Sequence, residues 1–440
     1  MRVKIFTEAS KVIGLGHYCR CYAVYEAFKG KGICTELIVK CDDVNVENNV
    51  EKFDWISNFI NVSAQMDQAT ICVIDSYLAD KEVYKEFSRK AGLCVYIDDF
   101  NRFDYPKGLV LQGRMPLRTA FVGKQYIVKD KVKSIFVSTG GTDQFNIENL
   151  IKNIRNIDKS IKIYAVISNN KIENKDDNVI VKNNLNADQM AALMINCDCA
   201  VVSAGQTLNE CLSIGIPTIS FSIAENQVVN LEEAGNADAI IKVAENELQK
   251  RVKELIDNKQ KREILNIKAN EYIKKTNKNI IKQILIKYYK TGLLQIRNAE
   301  LKDSDNILAL SNEQSVRDVS IRTKSIDQKE HNIWYAKQLD DESVLFFVIE
   351  LNNEFVGQIR YGIDGSKALI SLSLFEKYRG LWISKEAYLL TLDSLKRKNV
   401  RQVIAKIKKS NMISIKFFES LGYIKVSSEF DILMLEKKIA

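Results

Sequence analysis

VIGLGHYCR, at residues 12–20, is the stretch that indicates the fold of this 440-residue chain. The apolar run VKIF at 3–6 precedes it, and a helix-like run, AVYEAF at 23–28, follows it. Glycines allow a tight turn and a close approach of a ligand to the backbone, and open α/β sheets carry their chemistry at such strand-to-helix junctions. His17, one of two histidines in the chain, is therefore a candidate acid or base. The alternative is a histidine that only caps the helix.

Outward from this turn, residues 1–125 contain several short apolar runs, as expected for a parallel sheet covered on both faces. The predicted strands are Val3–Phe6, Thr35–Val39, Ile71–Ile74 and Val95–Ile97. Asp75 follows the third strand, and the pair Asp98-Asp99 follows the fourth. Because strand ends carry ligand-facing groups in such folds, Asp75 and Tyr77 are candidate substrate contacts. A simple strand-end turn is the alternative for each of these sites.

A second block of the same kind is predicted over residues 126–292. The strand SIFVS at 134–138 leads into a glycine turn that contains Gly141 and Thr142, and a strand at 199–202 leads into SAGQT at 203–207. Each turn precedes a helix, whose free amide groups attract anions. Two α/β halves whose ligand loops face a shared cleft predict two Rossmann-like lobes in a glycosyltransferase-B-like arrangement.

The pattern changes over residues 293–440, which predict a smaller α+β domain. Strands at 343–350 and 354–360 are separated by Asn352-Asn353, a typical hairpin turn. A further strand at 368–374 precedes a helix that is predicted to begin near Ser384. The lysine-rich segment at 268–292 is interpreted as a terminal helix that leads into this domain.

Composition limits the function classes. The net charge of +8 is spread over interspersed charges, and no basic stripe with interleaved aromatic residues indicates nucleic-acid binding. All nine cysteines precede residue 212, and most lie in apolar runs, so reduced thiols and a cytoplasmic location are expected. Two histidines make a Cys/His zinc site implausible. No apolar run reaches membrane-spanning length, and the N-terminal residues predict a strand rather than a signal peptide.

A series of motifs along residues 1–290 resembles one known family. The motifs are Gly14-x-Gly16-His17-x-x-Arg20, Ile74-Asp75-x-Tyr77, Asp98-Asp99, Gly140-Gly141-Thr142-Asp143 and Ser203-Ala204-Gly205 with Asn209-Glu210. Together they resemble the UDP-sugar hydrolases of pseudaminic acid biosynthesis, which act on UDP-2,4-diacetamido-2,4,6-trideoxy-β-L-altropyranose and are related to MurG-type glycosyltransferases. The resemblance implies inverting, metal-independent hydrolysis that releases UDP.

The resemblance also implies roles for individual residues. His17 would activate the water, Glu210 would bind the ribose hydroxyls, and Asn226 and Gln227 would contact the N-acetyl groups. For Glu210 the alternative is a first-turn glutamate that offsets the helix dipole. The segment at 113–121 looks shortened and lacks an expected tyrosine, which leaves the sugar specificity open. The implied substrate-binding set is Gly14, Gly16, Arg20, Asp75, Tyr77, Gly141, Thr142, Ser203, Ala204, Gly205, Glu210, Asn226 and Gln227.

Residues 293–440 resemble a GNAT N-acetyltransferase of the kind that acetylates the 4-amino group of the same sugar nucleotide. The matching motifs are Asn312-Glu313-x-x-Val316-Arg317, His331-x-x-Trp334, Gly357-Gln358-x-Arg360, and Asn411-x-x-Ser414 with Phe418 and Gly422-Tyr423. Arg317 and His331 would then lie in the acceptor pocket. The implied acetyl-CoA contacts are Leu374, Arg379, Gly380, Ser384, Asn411 and Ser414.

Two departures from this family bear on activity. Trp382 and Ser384 replace small residues of the cofactor-binding turn, where a diphosphate approaches backbone amides. Phe418 replaces a tyrosine that commonly protonates the departing thiolate, a step typically worth about 10²–10⁴-fold. Alternatives therefore stay open: a UDP-sugar glycosyltransferase of surface polysaccharide synthesis with a non-catalytic GNAT-like binding module, or an active acetyltransferase for another amino sugar. The oligomeric state is not predicted.

Overall fold

Strand β1 (Arg2–Ser10) is buried along most of its length and extends past the predicted end at Phe6, where it buries the polar residues Thr7 and Glu8. The structure is a computed structural model that describes residues 1–440 apart from 11, 43, 45, 101, 114–115, 141–146, 168–175, 184, 245–246, 277–278 and 440, and apart from the side chains of residues 226 and 276. The chain divides into two units, Met1–Ile281 and Lys282–Ala440. The predicted boundaries at residues 125/126 and 292/293 stay predictions.

The first sheet of the first unit is six-stranded and entirely parallel, in the order β3-β2-β1-β4-β5-β6. Its further strands are β2 (Cys34–Asp42), β3 (Glu51–Lys52), β4 (Thr70–Asp75), β5 (Leu93–Ile97) and β6 (Leu109–Leu111). Its helices are α1 (Gly16–Lys29), α2 (Phe59–Ser63) and α3 (Lys81–Lys90). The strand order is that of a Rossmann fold, so the loops after β1 and β4 diverge at the point where ligands bind.

A second parallel sheet of six strands follows, in the order β12-β11-β10-β7-β8-β9. Its strands are β7 (Ser134–Ser138), β8 (Lys162–Ile167), β9 (Val179–Asn183), β10 (Cys199–Ser203), β11 (Thr218–Phe221) and β12 (Ile241–Lys242). The helices are α4 (Ile147–Arg155), α5 (Ala187–Asn196), α6 (Gln206–Ile214), α7 (Val228–Asn236), α8 (Leu248–Asp257) and α9 (Lys259–Thr276). Counted from β7, this is again the Rossmann order, and an apolar cluster covers each face of the sheet.

The second unit contains a seven-stranded mixed sheet in the order β13-β14-β15-β16-β17-β19-β18, of which only β16 and β17 pair in parallel. Its strands are β13 (Leu294–Asn298), β14 (Val344–Leu351), β15 (Glu354–Asp364), β16 (Lys367–Leu374), β17 (Gln402–Lys408), β18 (Ile424–Glu429) and β19 (Ile432–Lys438). The helices that lie within it are α11 (Ser304–Asn312), α12 (Gln314–Arg317), α13 (Gln328–Asp340), α14 (Ile383–Arg397) and α15 (Met412–Ser420).

Several predicted elements match the structure closely. The strand at 134–138 has the predicted bounds, and the strand predicted at 199–202 extends by one residue to Ser203. Asn352 and Asn353 both have positive φ, as a two-residue hairpin turn of the primed type requires. The interpretation of residues 268–292 as one terminal helix was wrong, because α9 ends at Thr276 and α10 (Ile280–Tyr288) forms separately.

Candidate active site

His17 and Asp75 meet at the junction of β1 and β4. The Nδ1 atom of His17 lies 2.5 Å from Oδ1 of Asp75, and both side chains are buried. A carboxylate only accepts hydrogen bonds, so Nδ1 carries the hydrogen in this pair and Nε2 of the neutral ring is the basic nitrogen. Within the described part of the chain, no protein group hydrogen-bonds to Nε2. This arrangement suits a general base whose tautomer is set by its neighbour.

Arg20 fixes the carboxylate of Asp75. Its Nη2 donates to Oδ1 at 2.6 Å, and its Nε donates to Oδ2. The same guanidinium reaches Oδ2 of Asp99 at 2.6 Å. Burial alone would raise the pKa of Asp75, but the charges and hydrogen bonds of Arg20 and His17 outweigh it and hold that pKa well below its usual range. The predicted substrate contacts Asp75 and Arg20 thus bind each other.

Tyr77 packs against the imidazole of His17, with ring centroids 4.2 Å apart in an edge-to-face geometry. The turn that carries it is held by Glu8, which accepts a hydrogen bond from the Tyr77 amide at 2.6 Å and another from the Ser76 hydroxyl. Glu8 is itself buried on β1. Glu8 was not predicted from the sequence, although an acidic residue within a predicted strand region is a visible signal.

The two carboxylates after β5 have different roles. Asp98 accepts hydrogen bonds from the amides of Phe100 and Arg102, at 3.0 and 2.7 Å, and so shapes the turn. Burial raises the pKa of Asp98, but these bonds outweigh it and lower the pKa. Asp99 instead lines the cleft that contains His17, where it also accepts from the Gly113 amide at 3.1 Å.

The cleft has a volume of about 840 Å³ and lies between the two sheets of the first unit. Two helix N-termini border it, those of α1 and α6; neither has a side-chain cap or an acidic residue in its first turn. Uncapped amides at helix N-termini attract anions. The predicted residues that line the cleft are Gly14, Gly16, His17, Arg20, Tyr77, Ser203, Ala204, Gly205 and Gln227.

The glycine turns have distinct geometric reasons. Gly14 has φ of 81°, a left-handed conformation that favours glycine, and its amide donates to the Ser10 carbonyl at 2.8 Å. Asn230 holds the second turn, because its Nδ2 donates to the Ala204 carbonyl at 2.8 Å. Nothing in the sequence distinguishes Asn230 from other helical asparagines, so it was missed. The Gln227 side chain accepts from the Ile223 amide at 3.1 Å.

Glu210 is buried and forms an ion pair within the protein. It is 1% exposed and is absent from the cleft lining. Its Oε1 pairs with Arg118, 2.7 Å from Nη2 and 2.9 Å from Nε. Burial raises the pKa of Glu210, and Arg118 offsets this only in part. Contact with a ribose would require this ion pair to open, and the helix-dipole alternative is wrong because α6 has no acidic residue in its first turn.

The segment that carries Arg118 also reaches α1. The amide and hydroxyl of Thr119 donate to the two carboxylate oxygens of Glu26 at 2.8 and 2.7 Å. The next anchor is Phe121, which is fully buried in the apolar cluster of the second sheet. We call residues 118–121 the clamp segment, since it binds helices that belong to both sheets.

Three predicted residues cannot be placed in this way. Gly141, Thr142 and the side chain of Asn226 lie outside the described residues, so their roles stay predictions. In the part of the chain that is described, no group of three or more His, Cys, Asp or Glu side chains is arranged to hold a metal ion, and none of the helices combines the length and hydropathy of a membrane span. Each of the nine cysteines is a free thiol.

In the second unit, the predicted cofactor turn precedes α14. Gly380 and Trp382 have φ of 72° and 63°, and Trp382 directly precedes the first residue of the helix. A left-handed conformation is common for glycine and costly for a bulky residue. Arg379 supports the turn by donating to the Leu374 carbonyl at 3.0 Å and to Glu313 at 2.9 Å. Ser384 lies in the first turn of α14.

The other predicted residues of this unit have partners within the protein. His331 is 1% exposed, with Nε2 3.0 Å from the Ser304 carbonyl, and burial lowers its pKa. Arg317 donates to the carbonyls of Arg322 and Lys324 at 3.1 and 3.2 Å. Asn411 caps α15, accepting from the Ser414 amide at 3.1 Å. Ligand roles for these residues stay predictions.

Comparison with known protein families gives a match within the second unit. Residues 311–423 match the model of the Acetyltransferase (GNAT) family. A domain from Methanocaldococcus jannaschii is a similar solved structure, at 23% identity and a TM-score of 0.31, covering 33% of this chain and 98% of that one. A protein of that organism called uncharacterized protein MJ1062 is 25% identical over 370 residues, covering 75% of this chain and 70% of the relative.

The predicted resemblance to a hydrolase of pseudaminic acid biosynthesis is also confirmed by a similar protein of that name. Over 258 residues, the chain is 24% identical to a Helicobacter pylori protein named pseudaminic acid cytidylyltransferase and UDP-2,4-diacetamido-2,4,6-trideoxy-beta-L-altropyranose hydrolase. The match covers 53% of this chain and 46% of the relative, so the chain spans about half the length of that curated protein. Together with the GNAT match, this supports the predicted fusion of two kinds of domain.

Proposed function

We propose that the first unit hydrolyses a UDP-linked diacetamido sugar to UDP and the free sugar, with UDP-2,4-diacetamido-2,4,6-trideoxy-β-L-altropyranose as the candidate substrate. The observation that carries the proposal is the buried pair of His17 and Asp75 in a cleft bordered by two uncapped helix N-termini. The repeated Rossmann strand order supports a glycosyltransferase-B-like arrangement for this unit. The similarity to the Helicobacter pylori protein supports the class of substrate.

The chemistry follows from the hydrogen bonds. Asp75 accepts from Nδ1 of His17, which leaves Nε2 to take a proton from water as the water attacks the anomeric carbon. Arg20 keeps Asp75 ionised, so the imidazolium that forms has a charged partner. The bond from the anomeric carbon to the phosphate oxygen breaks, and its electrons leave with UDP. Amides at the N-terminus of α6 stabilise the diphosphate.

The test is UDP release from the candidate sugar nucleotide with no acceptor present, followed by chromatography. The wild-type chain is expected to release UDP and free sugar in equal amounts. His17→Ala should lose this activity while it retains UDP binding, because the helix N-termini are unchanged. Release that persists in His17→Ala would reject the mechanism.

A glycosyltransferase is the second candidate, favoured by exposed apolar side chains on the cleft. Val12 is 83% exposed and Val229 is 64% exposed, and both line the cleft. Such positions suit contact with an acceptor other than water. UDP release that requires an added acceptor would favour transfer over hydrolysis.

The second unit is proposed to bind acetyl-CoA and to acetylate an amino sugar, a function supported by the GNAT match. The pantetheine would lie where β16 separates from β17, whose pairing ends at Ile370 and Ala405. The free thiols support a cytoplasmic location as part of the same proposal. The direct test is acetyl-CoA binding by calorimetry, followed by release of free CoA with amine acceptors.

A further inference from the structure

Arg360, on β15, has an unusual environment for a largely buried cation. Its Nη1 donates to the Gln338 amide oxygen at 2.6 Å, and its guanidinium lies 4.8 Å from the Trp334 ring centroid. In the described ranges, no carboxylate lies within ion-pair distance of it. Arg297, in the same unit, instead pairs with Asp303 and Glu350 at 2.7 and 2.8 Å. Burial lowers the pKa of Arg360, as expected for a charge without a counter-ion.

Gln358 lies two residues before Arg360 and is also incompletely satisfied. It is 8% exposed, and its Oε1 has no hydrogen-bond partner among the described residues. An unsatisfied buried polar atom destabilises the folded protein. A buried polar atom without a partner calls for an explanation, and a hydrogen bond to a bound ligand would be one.

The pleat of the sheet brings four polar side chains to one face. Gln358 is directly opposite Ser373 on β16, and Arg360 is directly opposite Ser371. Residues two apart on a strand share a face. Contact of Arg360 with Trp334 identifies this as the face covered by α13.

This polar face lies beside the place where β16 leaves its parallel neighbour. Pairing with β17 stops at Ile370, immediately before Ser371. The end of α11 borders the same region, since Glu313 binds Arg379 and the amide of Glu376, just beyond β16. An acceptor on this face would therefore approach the strand edge proposed to hold acetyl-CoA.

We propose that Gln358, Arg360, Ser371 and Ser373 form the floor of an acceptor site that binds an anionic oxygen group, with a phosphorylated amino sugar as the acceptor class. Phosphate oxygens form strong, geometrically specific hydrogen bonds with a guanidinium. The amide and the two hydroxyls match the hydroxyl and amide groups of a sugar. Polycationic amines are disfavoured here, because Arg360 repels them. The inference rests on the acetyltransferase part of the proposed function and is independent of the hydrolase part.

The test uses the fluorescence of Trp334, which stacks on Arg360. The full chain is titrated with glucosamine 1-phosphate, glucosamine, glucuronate and spermidine, and Trp334→Phe identifies the signal. Glucosamine 1-phosphate is expected to bind best, and Arg360→Gln should raise its Kd by about tenfold or more, the loss of one charged hydrogen-bonding partner. Arg401→Gln, an exposed arginine of the same unit, is the matched control and should leave Kd unchanged.

Several outcomes would overturn the site. These are equal affinity for the phosphorylated and neutral sugars, preference for spermidine, or an unchanged Kd in Arg360→Gln. If glucuronate binds as tightly as glucosamine 1-phosphate, the proposed phosphorylated acceptor is wrong, and a sugar carboxylate is the anion that the site accepts. Melting of Arg360→Gln and its acetyl-CoA affinity, measured on the same sample, exclude misfolding. If wild type binds the phosphorylated sugar through Arg360 but does not bind acetyl-CoA, the site stands and the acetyltransferase function fails.

Discussion

The candidate sites of the two units differ in whether their buried charges are paired. In the first unit, Asp75 is held by both His17 and Arg20, and Arg20 also binds Asp99. In the second unit, Arg360 contacts an amide oxygen and two aromatic rings, and no carboxylate among the described residues pairs with it. A site whose charges are already paired is preorganised for chemistry. A site that leaves a charge unpaired depends on its ligand to complete it.

The largest expected effect on the paired site is the loss of activity when His17 or its partner Asp75 is replaced. We expect His17→Ala to lower the rate of UDP release by about 10²–10⁴-fold. Asp75→Asn should cost a comparable factor, because an amide gives the imidazole no charged acceptor and can favour the other tautomer. The measurement is the initial rate of UDP release at saturating substrate.

Asp54→Asn is the matched control, since Asp54 pairs with Lys40 at the surface and lies apart from the cleft residues. Circular dichroism on Asp75→Asn separates loss of chemistry from loss of fold. A folded Asp75→Asn protein with wild-type kinetics would show that the pair does not act on the reaction.

The free energy of unfolding should respond differently to replacement of the paired Arg118 and of Arg360. Arg118→Leu leaves the buried carboxylate of Glu210 without its partner and is expected to cost about 3–5 kcal/mol. Arg360→Leu should change the free energy of unfolding by within about 1 kcal/mol, because no carboxylate loses a partner. Urea unfolding of both variants measures the difference. Equal losses would mean that Arg360 has a structural role instead.

The sequence predicted the positions of the strands better than it predicted which side chains from different strands come into contact. The short apolar runs that gave β1, β4 and β7 depend on local composition, which a single sequence displays. His17 and Asp75 were both selected, but they are 58 residues apart, and only the crossover that places β4 beside β1 makes them a pair. A single sequence gives no such distance.

Long-range charge pairing accounts for the other differences. Glu210 was assigned to a ribose by the resemblance, and that role stays a prediction; its ion pair with Arg118, 92 residues away, was not predicted from the sequence. Gln358 and Arg360 were used only as parts of a motif. Their alternation with the buried residues Ile359 and Tyr361 could have drawn attention to them, because polar residues at inward strand positions are uncommon.

A smaller effect is expected at the cofactor turn of the second unit. Trp382→Gly should relieve the left-handed conformation and let a diphosphate approach the amides of α14. We expect acetyl-CoA to bind about tenfold more tightly, which corresponds to 1.4 kcal/mol. Calorimetry measures the change, and Leu389→Gly, at an exposed position in the same helix, is the control. Weaker binding would show that the indole contributes to the site.

The smallest predicted difference is the pH at which each unit loses stability. Burial depresses the pKa of His331, so its contribution is present above the ordinary value of 6.5 and is lost as pH falls from there through the lower pKa of the folded state. Asp75 has a depressed pKa, so its contribution is lost only below the ordinary value of 3.8. Urea unfolding followed by tryptophan fluorescence reports on the first unit through Trp55 and on the second unit through Trp334 and Trp382. His331→Asn should remove the earlier loss, and an unchanged pH profile would contradict the assignment.

The clamp segment has a consequence for turnover. Arg118 forms an ion pair with Glu210 on α6, and Thr119 donates two hydrogen bonds to Glu26 on α1. A motion that moves these two helices apart and widens the cleft must therefore stretch these contacts. Such contacts slow opening without touching the reacting atoms. We therefore expect the clamp segment to determine how long UDP stays bound after the sugar has left, and so to limit the turnover rate.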